Sequence, residues 1–233
     1  MAVPQDTLAD IRRDFERVPA DLVKEAAKFP AAILADVQGR RGTMNSRVAA
    51  IGDGMAFAGP AFTVEVRGGD NLLLHAALNL AKPGDVIVCD GKDDMSCALM
   101  GALMMNHAKV AGLAAVVIDG AIRDVAELRE LGFPVYASGA NPNGPTKATP
   151  GRIGWPVSCG GATVHPGDLV VGDDDGIVVI ERARVASLLP LAAKKVADED
   201  ARMADIRAKK NLRQGWLEPA LRAAGMLKDG ESL

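Results

Sequence analysis

The feature that most constrains the fold is an alternation of strand-like and helix-like segments between residues 56 and 137. Short apolar runs, such as residues 85–90 and 114–118, are separated by longer segments with helical spacing. Strands that alternate with helices in this way are typical of an α/β core in which neighbouring strands run parallel. The sequence therefore predicts an α/β fold built on a largely parallel sheet.

Individual elements follow from spacing and turn residues. In the alternating region, strands are predicted at residues 64–66, 85–90, 114–118 and 134–137, and helices at residues 71–81, 95–110 and 125–131. Beyond a Gly-, Pro- and Asn-rich segment, 139–154, short strands are predicted near residues 155–158, 162–164, 168–171 and 177–180. Further helices are predicted at residues 8–17, 21–28 and 31–37, and from residue 182 onward.

No linker separates domains cleanly, so the sequence predicts one domain over residues 1–233. Its expected parts are N-terminal helices (1–50), a core of helices and strands (51–181) and C-terminal helices (182–233). A loop as long as segment 139–154 is usually functional or a crossover in a compact domain, so this segment is of interest for function.

Charge and composition argue against two classes of partner. The net charge is −3, no basic block stands out, and aromatic residues make up 3% of the chain. Proteins that bind the phosphate backbone normally have a basic face, and single-strand binders stack bases on aromatic side chains. No apolar stretch reaches the roughly 18 residues of a membrane span. We therefore expect neither nucleic acid nor a membrane as a partner.

The cysteines and histidines form no redox or zinc motif, since C-x-x-C and H-x-x-x-H spacings are missing. They are Cys89, Cys97, Cys159, His75, His107 and His165. No signal peptide is recognisable, so a reducing cytoplasm is the expected location. Each thiol is expected to be a small buried hydrophobic group.

An arginine and a carboxylate stand at the end of a predicted strand. The apolar run ends at Asp119-Gly120, and a helix is predicted to begin at or just after Asp124. Arg123 and Asp124 would then lie at the carboxyl edge of the sheet beside a helix N-terminus, where α/β folds bind ligands. A structural alternative is open: Asp124 and Glu127 fit a capping box, and Arg123 fits a solvated surface residue.

Gly101 interrupts an otherwise strong helical pattern, which costs about 1 kcal/mol relative to alanine. Two explanations bear on function. The backbone there approaches another group closely, or the helix begins at this point and its first N–H groups can bind a carboxylate. Packing of two helices against a small residue is the alternative without a function, and spacing does not separate these cases.

Taken together, the motifs resemble the RraA-like family. They are Gly69-Asp70-Asn71, Pro83-Gly84-Asp85, Gly101-x-Leu103, Asp119-Gly120-x-x-Arg123-Asp124, Gly132-Phe-Pro-Val, Pro166-Gly167-Asp168 and Asp173-Asp174-Asp175-Gly176-Ile-Val-Val. Gln38-Gly39-Arg40-Arg41-Gly42 and Thr146-Lys147-Ala148-Thr149 are similar to its aldolase branch. The resemblance covers about residues 20–225. The family includes 4-hydroxy-4-methyl-2-oxoglutarate and 4-carboxy-4-hydroxy-2-oxoadipate aldolases and regulators of ribonuclease activity.

The resemblance implies an α/β/β/α sandwich of the swivelling phosphohistidine-domain type. It also implies a homotrimer, or a hexamer of two trimers, with active sites shared between subunits. The implied activity is that of a class II pyruvate aldolase, which releases pyruvate from 4-hydroxy-2-keto acids and decarboxylates oxaloacetate as a side reaction. A divalent cation, Mg²⁺ or Mn²⁺, is the implied cofactor.

The resemblance also implies roles for particular residues. Arg123 would hold the pyruvate carboxylate, and Asp124 would ligate the metal. The backbone amides from Gly101 through Ala102 and Leu103 to Met104 would complete the substrate cradle. Glu199, from a neighbouring subunit's C-terminal helix, would orient a water on the metal. The residue types agree with this chemistry, because a metal stabilises an enolate without a Schiff-base lysine.

One position departs from the aldolase pattern, in which an acidic residue precedes the Arg-Asp pair by a spacer of twenty residues. Counting back from Arg123 places that position at Ala102, which cannot hold a water or relay a proton. Three hypotheses therefore stand: an active aldolase, a degenerate aldolase, and a regulator that binds the RNA-degradation machinery. The regulator branch tends to lack the aspartate after the arginine, so Asp124 favours the enzyme.

Overall fold

The structure, a computed structural model, describes residues 11–210, 212–228 and 230–233. Its strands are β1 (Ala49–Ala50), β2 (Phe57–Glu65), β3 (Val86–Met100), β4 (Ala115–Ile122), β5 (Val135–Ala140), β6 (Arg152–Ile153), β7 (Val157–Cys159), β8 (Ala162–Val164), β9 (Leu169–Asp173) and β10 (Gly176–Ile180). Its α-helices are α1 (Ala20–Ala26), α2 (Ala31–Val37), α3 (Leu72–Leu80), α4 (Ala102–Val110), α5 (Val125–Leu131), α6 (Val185–Arg207) and α7 (Leu217–Ala223).

The strands form one large mixed sheet with the order β1-β5-β4-β3-β2-β9-β10, and β6 pairs with β2 beside this path. The middle strands β2 to β5 are parallel, as their helix-linked spacing predicts. β2 is shared: its first half pairs antiparallel with β9, and its second half pairs with β3. β7 and β8 form a separate two-stranded sheet.

Side chains of the central strands alternate between two apolar clusters. In β4, Val116 and Ile118 join the cluster that α3, α4 and α5 cover, whereas Ala115 and Val117 join the cluster on the opposite face. This alternation follows from the two-residue period of a strand. Because both faces are buried, the strand reads as a continuous apolar run, as strands of covered parallel sheets do.

The layers are those of an α/β/β/α sandwich. Helices α3 and α4 pack on one face of the parallel strands. On the other face of these strands lie β7 and the β9-β10 pair, which continues from the first half of β2. Helix α2 packs against β9 and β10 from outside. The predicted fold class is therefore confirmed, and the parallel strands direct their carboxyl ends toward α4 and the segment 139–154.

The helix predicted at residues 95–110 is wrong in its first part. Residues 95–100 belong to β3, and the helix begins only at Ala102. β3 is long because it continues to pair with β4 through several register shifts between Asp90 and Met100. A short apolar run fits a buried strand and a buried helix equally well, so periodicity does not distinguish them.

The helix predicted at residues 8–17 is also wrong in the part that the structure describes. Residues 8–10 lie outside the described residues, and residues 11–17 are not helical. Ile11 forms a parallel bridge to Ile153, and Arg17 binds the buried Asp85 carboxylate with two hydrogen bonds of 2.7 and 2.8 Å. Pairing with β6 and this ion pair hold the segment extended, so tertiary contacts override its helical spacing.

The chain forms two compact units, one ending at Ala192 and the other running from Ala193 onward. The first contains the sheet and helices α1 to α5, and the second contains α7 and the C-terminal part of α6. The predicted single domain with boundaries at residues 50 and 181 stays a prediction. Among the described residues, no helix is both long and apolar enough to cross a membrane.

Candidate active site

Arg123 and Asp124 lie where β4 ends and α5 begins. Arg123 donates its backbone N–H to the Met100 carbonyl oxygen at 3.0 Å, which extends the strand pairing by one residue. Asp124 has φ 63° and ψ 35°, the left-handed conformation that few residues other than glycine adopt. Unusual backbone of this kind is concentrated at functional sites, where the surrounding structure holds it. Here it turns the chain from strand into helix at the carboxyl edge of the sheet.

The Asp124 carboxylate caps a neighbouring helix instead of its own. Its side chain makes no capping bond to α5, so the capping box with Glu127 is not formed. Its Oδ2 accepts a hydrogen bond of 2.9 Å from the N–H of Ala102, the first residue of α4. A helix N-terminus favours a carboxylate because of its unpaired N–H groups and its dipole. Within the described chain no donor binds Oδ1 of this 39% exposed side chain, so Oδ1 is available to a ligand.

Gly101 is required by the close approach of the Arg123-Asp124 pair. Its backbone, φ −146° and ψ −167°, is extended and suits any residue. A Cβ atom at this position, however, would lie 2.4 Å from Asp124 Oδ2 and 2.9 Å from Arg123 Cγ. Both structural features suggested for this glycine are therefore present: α4 begins directly after it, and its backbone approaches other groups closely.

These residues line a pocket of about 180 Å³. Of the residues predicted for the site, Gly101, Leu103, Met104, Arg123 and Asp124 belong to its wall. The remaining wall consists of Asn71, His75, Ala98, Leu99, Met100, Pro145 and Lys147. The pocket thus collects the end of β3, the first turns of α3 and α4, the start of α5, and segment 139–154.

The predicted cradle of backbone amides is partly occupied by the protein itself. The Ala102 N–H binds Asp124, and the Met104 N–H donates to the Gly101 carbonyl oxygen at 3.1 Å. Leu103, the second residue of α4, has an N–H without an acceptor inside the helix. The Ala102 side chain is 5% exposed and packs in the apolar cluster beneath α4 instead of lining the pocket. The role predicted for Ala102 is therefore limited to its backbone.

A buried carboxylate, Asp70, fastens segment 139–154 to the start of α3. Its Oδ2 accepts hydrogen bonds from the Thr146 hydroxyl at 2.7 Å and from the N–H groups of Ala148 and Thr149 at 2.8 and 3.0 Å. Burial alone would raise the pKa of Asp70, but these donors, with a further backbone N–H, hold that pKa well below its usual range. Lys147 lies between the bonded residues, so the same bonds place it at the pocket.

Asn71, His75 and Lys147 also line the pocket, and none of them is among the site residues predicted from the sequence. Asn71 and Lys147 belong to motifs on which the family resemblance rests, so membership in these motifs could have identified them as candidates. His75 belongs to no motif, but it stands four residues after Asn71, on the same side of α3. Asn71 is tied to the end of β3 by a hydrogen bond of 2.8 Å from its Nδ2 to the Leu99 carbonyl oxygen.

The pKa of His75 lies below its ordinary value. Burial lowers the pKa of His75, and the nearby charges of Lys147 and His107 lower it further. The imidazole therefore contributes a hydrogen-bonding group to the pocket at neutral pH, and the positive charge on that side comes from Lys147.

A second polar cluster at this edge of the sheet is satisfied internally. The buried Asp119 accepts two hydrogen bonds of 2.8 Å from Arg47, one of 3.1 Å from the Ser138 hydroxyl and one of 2.7 Å from the Gly160 N–H. With both oxygens engaged, the carboxylate joins β4 to its neighbours and has little capacity left for a ligand. This explains why Asp119 ends the apolar run without contributing to the pocket.

Glu199 lies in α6, in the unit that runs from Ala193 onward, and its carboxylate pairs with Lys195 one turn earlier at 2.9 Å. Its predicted role involves a neighbouring subunit and stays a prediction.

The pocket suits a cation that keeps much of its water. Among the described residues, no group of three or more His, Cys, Asp or Glu side chains is placed to hold a metal, as a zinc site would need. Mg²⁺, by contrast, is commonly bound through one or two carboxylates and several waters. Asp124, with one oxygen available at the pocket wall, fits that requirement.

Comparison with known proteins gives consistent results. The sequence profile described as "RraA-like: Aldolase/RraA" matches residues 11–179. A candidate 4-hydroxy-4-methyl-2-oxoglutarate aldolase of Halalkalibacterium halodurans is 38% identical over 182 residues, which cover 78% of this chain and 87% of that protein.

Two solved structures share the fold. RraAS2 of Streptomyces coelicolor, described as an unusual member of the RNase ES inhibitor RraA family, is 30% identical with a TM-score of 0.73, over 82% of this chain and all of that one. The RNA-processing inhibitor RraA of Thermus thermophilis is 29% identical with a TM-score of 0.60, over 65% of this chain and 92% of that one. With more than half of its length matched by the family profile, this chain belongs to the RraA-like family.

Proposed function

We propose that this protein is a lyase that releases pyruvate from 4-hydroxy-2-keto dicarboxylic or tricarboxylic acids of the 4-hydroxy-4-methyl-2-oxoglutarate type, and from oxaloacetate. The observation that carries the proposal is the Arg123-Asp124 pair, a guanidinium and a carboxylate that Gly101 and the N-terminus of α4 accommodate in one pocket wall. The similarity to the Halalkalibacterium halodurans protein supports the same class of reaction.

The chemistry defines what the pocket must stabilise. Cleavage breaks the C3–C4 bond of the keto acid while the C4 hydroxyl loses its proton and becomes a carbonyl group. The electron pair of the broken bond passes to the pyruvate enolate, which is then protonated at C3. In oxaloacetate the C3–C4 bond also breaks, and CO₂ leaves. In both cases negative charge develops on the keto oxygen, where preorganised positive charge lowers the barrier.

Arg123 is proposed to bind the carboxylate beside the keto group. Apart from a 3.8 Å contact between its Nε and Asp124 Oδ2, its guanidinium makes no ion pair within the described chain. A guanidinium binds a carboxylate through two parallel hydrogen bonds, a geometry that lysine cannot reproduce. The Leu103 N–H, in the same wall, offers another donor.

Asp124 is proposed to hold Mg²⁺ or Mn²⁺ through Oδ1. A cation there would supply positive charge for the developing enolate, so no Schiff-base lysine is needed. Glu199, from a neighbouring copy of the chain, is proposed to orient the water that exchanges a proton with the substrate.

A homotrimer, or a hexamer of two trimers, is proposed as the assembly that completes the site. Leu103 and Val110, seven residues apart on α4, are 90% and 87% exposed. Residues at this spacing lie on one helix face, and exposed apolar side chains beside a binding pocket are typical of an interaction surface. Because Leu103 also lines the pocket, a neighbouring copy on this face would border the site.

Two alternatives have specific support. The solved relatives named as inhibitors of RNA processing favour a regulator that binds a ribonuclease or helicase. Ala102 favours a degenerate aldolase, since its buried methyl group replaces the acidic side chain of the aldolase pattern. Asp124 favours the enzyme over the regulator, because proteins of the regulator branch tend to lack an aspartate after the arginine.

The test is pyruvate release in the presence of Mg²⁺ or Mn²⁺. We expect the protein to act on oxaloacetate and on 4-hydroxy-4-methyl-2-oxoglutarate faster than the metal alone, with pyruvate followed through lactate dehydrogenase. A chelator should abolish this rate. Failure of the wild-type protein to release pyruvate from either substrate would refute the function.

The matched variants are Asp124→Asn and Asp124→Ala. The asparagine keeps an acceptor for the Ala102 N–H and tolerates the left-handed backbone, so it should fold normally and lose about 100-fold in rate. The alanine should lose the rate and also about 0.5–2 kcal/mol of stability, since the cap of α4 disappears. Full activity in Asp124→Asn would contradict the assignment of Asp124 to the metal.

A further inference from the structure

Arg123 borders open space on two sides. It lines the pocket described above and also a second cavity of about 320 Å³. Within the described chain no hydrogen bond holds its guanidinium, and its ion-pair contact with Asp124 is 3.8 Å long. A long side chain with this freedom loses entropy when it binds a ligand, and this loss weakens binding. The position of Arg123 therefore depends on what packs against its guanidinium.

A turn within segment 139–154 packs against this guanidinium. This asparagine turn consists of residues 141–145, with the sequence Asn-Pro-Asn-Gly-Pro. A Cβ atom at Gly144 would lie 3.3 Å from Arg123 Nη1, so the backbone of the turn approaches the guanidinium closely. Other residues of the turn line both cavities. The asparagine turn thus limits the space that is open to the Arg123 side chain.

Asn141 shapes this turn with both ends of its carboxamide. Its Oδ1 accepts a hydrogen bond of 2.9 Å from the Asn143 N–H, which closes an Asx turn. Its Nδ2 donates to the Met95 carbonyl oxygen at 2.7 Å. Its backbone N–H donates at 2.9 Å to the carbonyl oxygen of Ile122, the residue before Arg123. Asn141 therefore folds the turn and also fastens it to β3 and β4.

The irregular part of β3 provides the partners for this attachment. β3 pairs with β4 through several register shifts, and irregular pairing leaves main-chain groups without a strand partner. The Met95 oxygen is satisfied by Asn141, and the Ala98 N–H donates to the Asn143 carbonyl oxygen at 2.8 Å. An aspartate at position 141 could accept from Asn143 but could not donate to Met95. The two hydrogen bonds together require an amide side chain.

We propose that Asn141 is a positioning residue for Arg123. Its carboxamide holds the asparagine turn against the guanidinium, so that Arg123 meets the carboxylate beside the keto group in one preset orientation. Because that carboxylate is present in the bound substrate and throughout cleavage, the contribution should appear in KM and hardly in kcat. The ligand of Arg123 rests on the proposed function, whereas the placement of Arg123 by Asn141 does not.

The placement of Arg123 is tested without any reaction, by crystal structures of the wild-type protein, Asn141→Ala and Asn45→Ala. Asn45 is the matched control, because its Oδ1 closes an equivalent turn by accepting the Arg47 N–H at 3.0 Å. It lines neither cavity.

In the wild-type protein and Asn45→Ala, the guanidinium should pack against Gly144 in a single conformation. In Asn141→Ala it should move by about 1 Å or more, enough to disturb the geometry of a bound ligand, or occupy several conformations. A guanidinium that keeps its place and its single conformation in Asn141→Ala would overturn the proposal.

Kinetics of pyruvate release give a second readout. Asn141→Ala should raise KM by about tenfold, as expected for the loss of two neutral hydrogen bonds, and change kcat by less than about threefold. Asn141→Ser can still accept from the Asn143 N–H, so its KM should rise less. Asn45→Ala should keep the wild-type KM.

A double-mutant cycle with Arg123→Lys shows whether Asn141 acts through the guanidinium. In that background Asn141→Ala should raise KM little further, because lysine has no guanidinium for the turn to hold. A purely structural role of Asn141 would raise KM by the same factor in both backgrounds, and this result would refute the proposal.

The two readouts separate this proposal from the proposed function. If Asn141→Ala displaces Arg123 but the wild-type protein releases no pyruvate, the placement stands and the aldolase reaction fails. If the wild-type protein releases pyruvate and Asn141→Ala leaves both Arg123 and KM unchanged, the reaction stands and the role of Asn141 is refuted.

Discussion

At the scale of single residues, the geometry of the proposed site depends on Gly101, a residue without a side chain. Gly101 matters because a Cβ atom would meet both Asp124 Oδ2 and Arg123 Cγ at less than van der Waals distance. Its backbone conformation is ordinary, so the requirement comes from its neighbours and not from φ. A larger residue at position 101 would therefore cause no backbone strain, but it would displace the Arg123 and Asp124 side chains of the proposed site.

We therefore expect Gly101→Ala to reduce the kcat/KM of pyruvate release by about 100-fold, since small displacements of positioning groups have effects of this size. Its fold should persist, which circular dichroism would verify. Gly215→Ala is the control, because a Cβ atom at Gly215 meets nothing within 4 Å. Wild-type kinetics in Gly101→Ala would show that the Arg123-Asp124 geometry is not needed for the reaction.

At the scale of elements, the site is assembled from loops and helix ends that a buried carboxylate organises. Asp70 joins the start of α3 to segment 139–154, and Lys147 reaches the pocket through these bonds. The depressed pKa of Asp70 means that its charged form stabilises the folded state. This contribution is complete above the unfolded-state pKa of about 3.9 and is lost as the pH falls further, toward the folded-state pKa.

Asp70→Asn should accordingly lower the free energy of unfolding by about 1–3 kcal/mol at pH 7, because charge-assisted hydrogen bonds are lost. The difference from the wild-type protein should begin to shrink below about pH 4, as the Asp70 carboxyl group becomes protonated in the unfolded wild-type chain. Denaturant titrations at pH 7 and pH 3.5 would measure both effects. Asp53→Asn, at an exposed aspartate, is the control. An equal loss at both pH values would contradict the role given to the charge.

At the scale of the whole molecule, the exposed face of α4 bears on assembly. Leu103 and Val110 expose nearly all of their apolar side chains, and Leu103 also borders the pocket. We therefore expect Val110→Glu to dissociate the proposed oligomer, because a charge would be buried without a partner in the proposed interface. Light scattering after size exclusion would give the mass. Lys24→Glu, which places the same side chain on α1, should leave it unchanged.

Dissociation of the oligomer should also abolish pyruvate release, since Glu199 is proposed to act across subunits. Val110 does not line the pocket, so an effect on pyruvate release would report on the assembly. A Val110→Glu monomer that releases pyruvate at the wild-type rate would refute the shared site. A wild-type protein that is already monomeric would do the same.

The sequence predicted the fold well where patterning is local. Strand β8 and helices α2 and α5 have the predicted bounds, because the periods of helix and strand depend on neighbouring residues, whereas β4 continues four residues beyond the predicted strand. It failed at residues 95–100 and 11–17, where pairing with β4 and β6 decides the conformation. Such pairing depends on residues distant in the chain, which local periodicity does not register.

The same division applies to the site. By itself the sequence determined the α/β class, the position of Arg123 and Asp124 at a strand end, and the family motifs that contain Asn71 and Lys147. Only the tertiary structure decided that Asp124 caps α4 instead of α5, and that His75 and Lys147 share a pocket with Arg123. The reason is physical: hydrogen-bond partners and shared cavities are set by distances between atoms, and folding creates these distances between residues far apart in the chain.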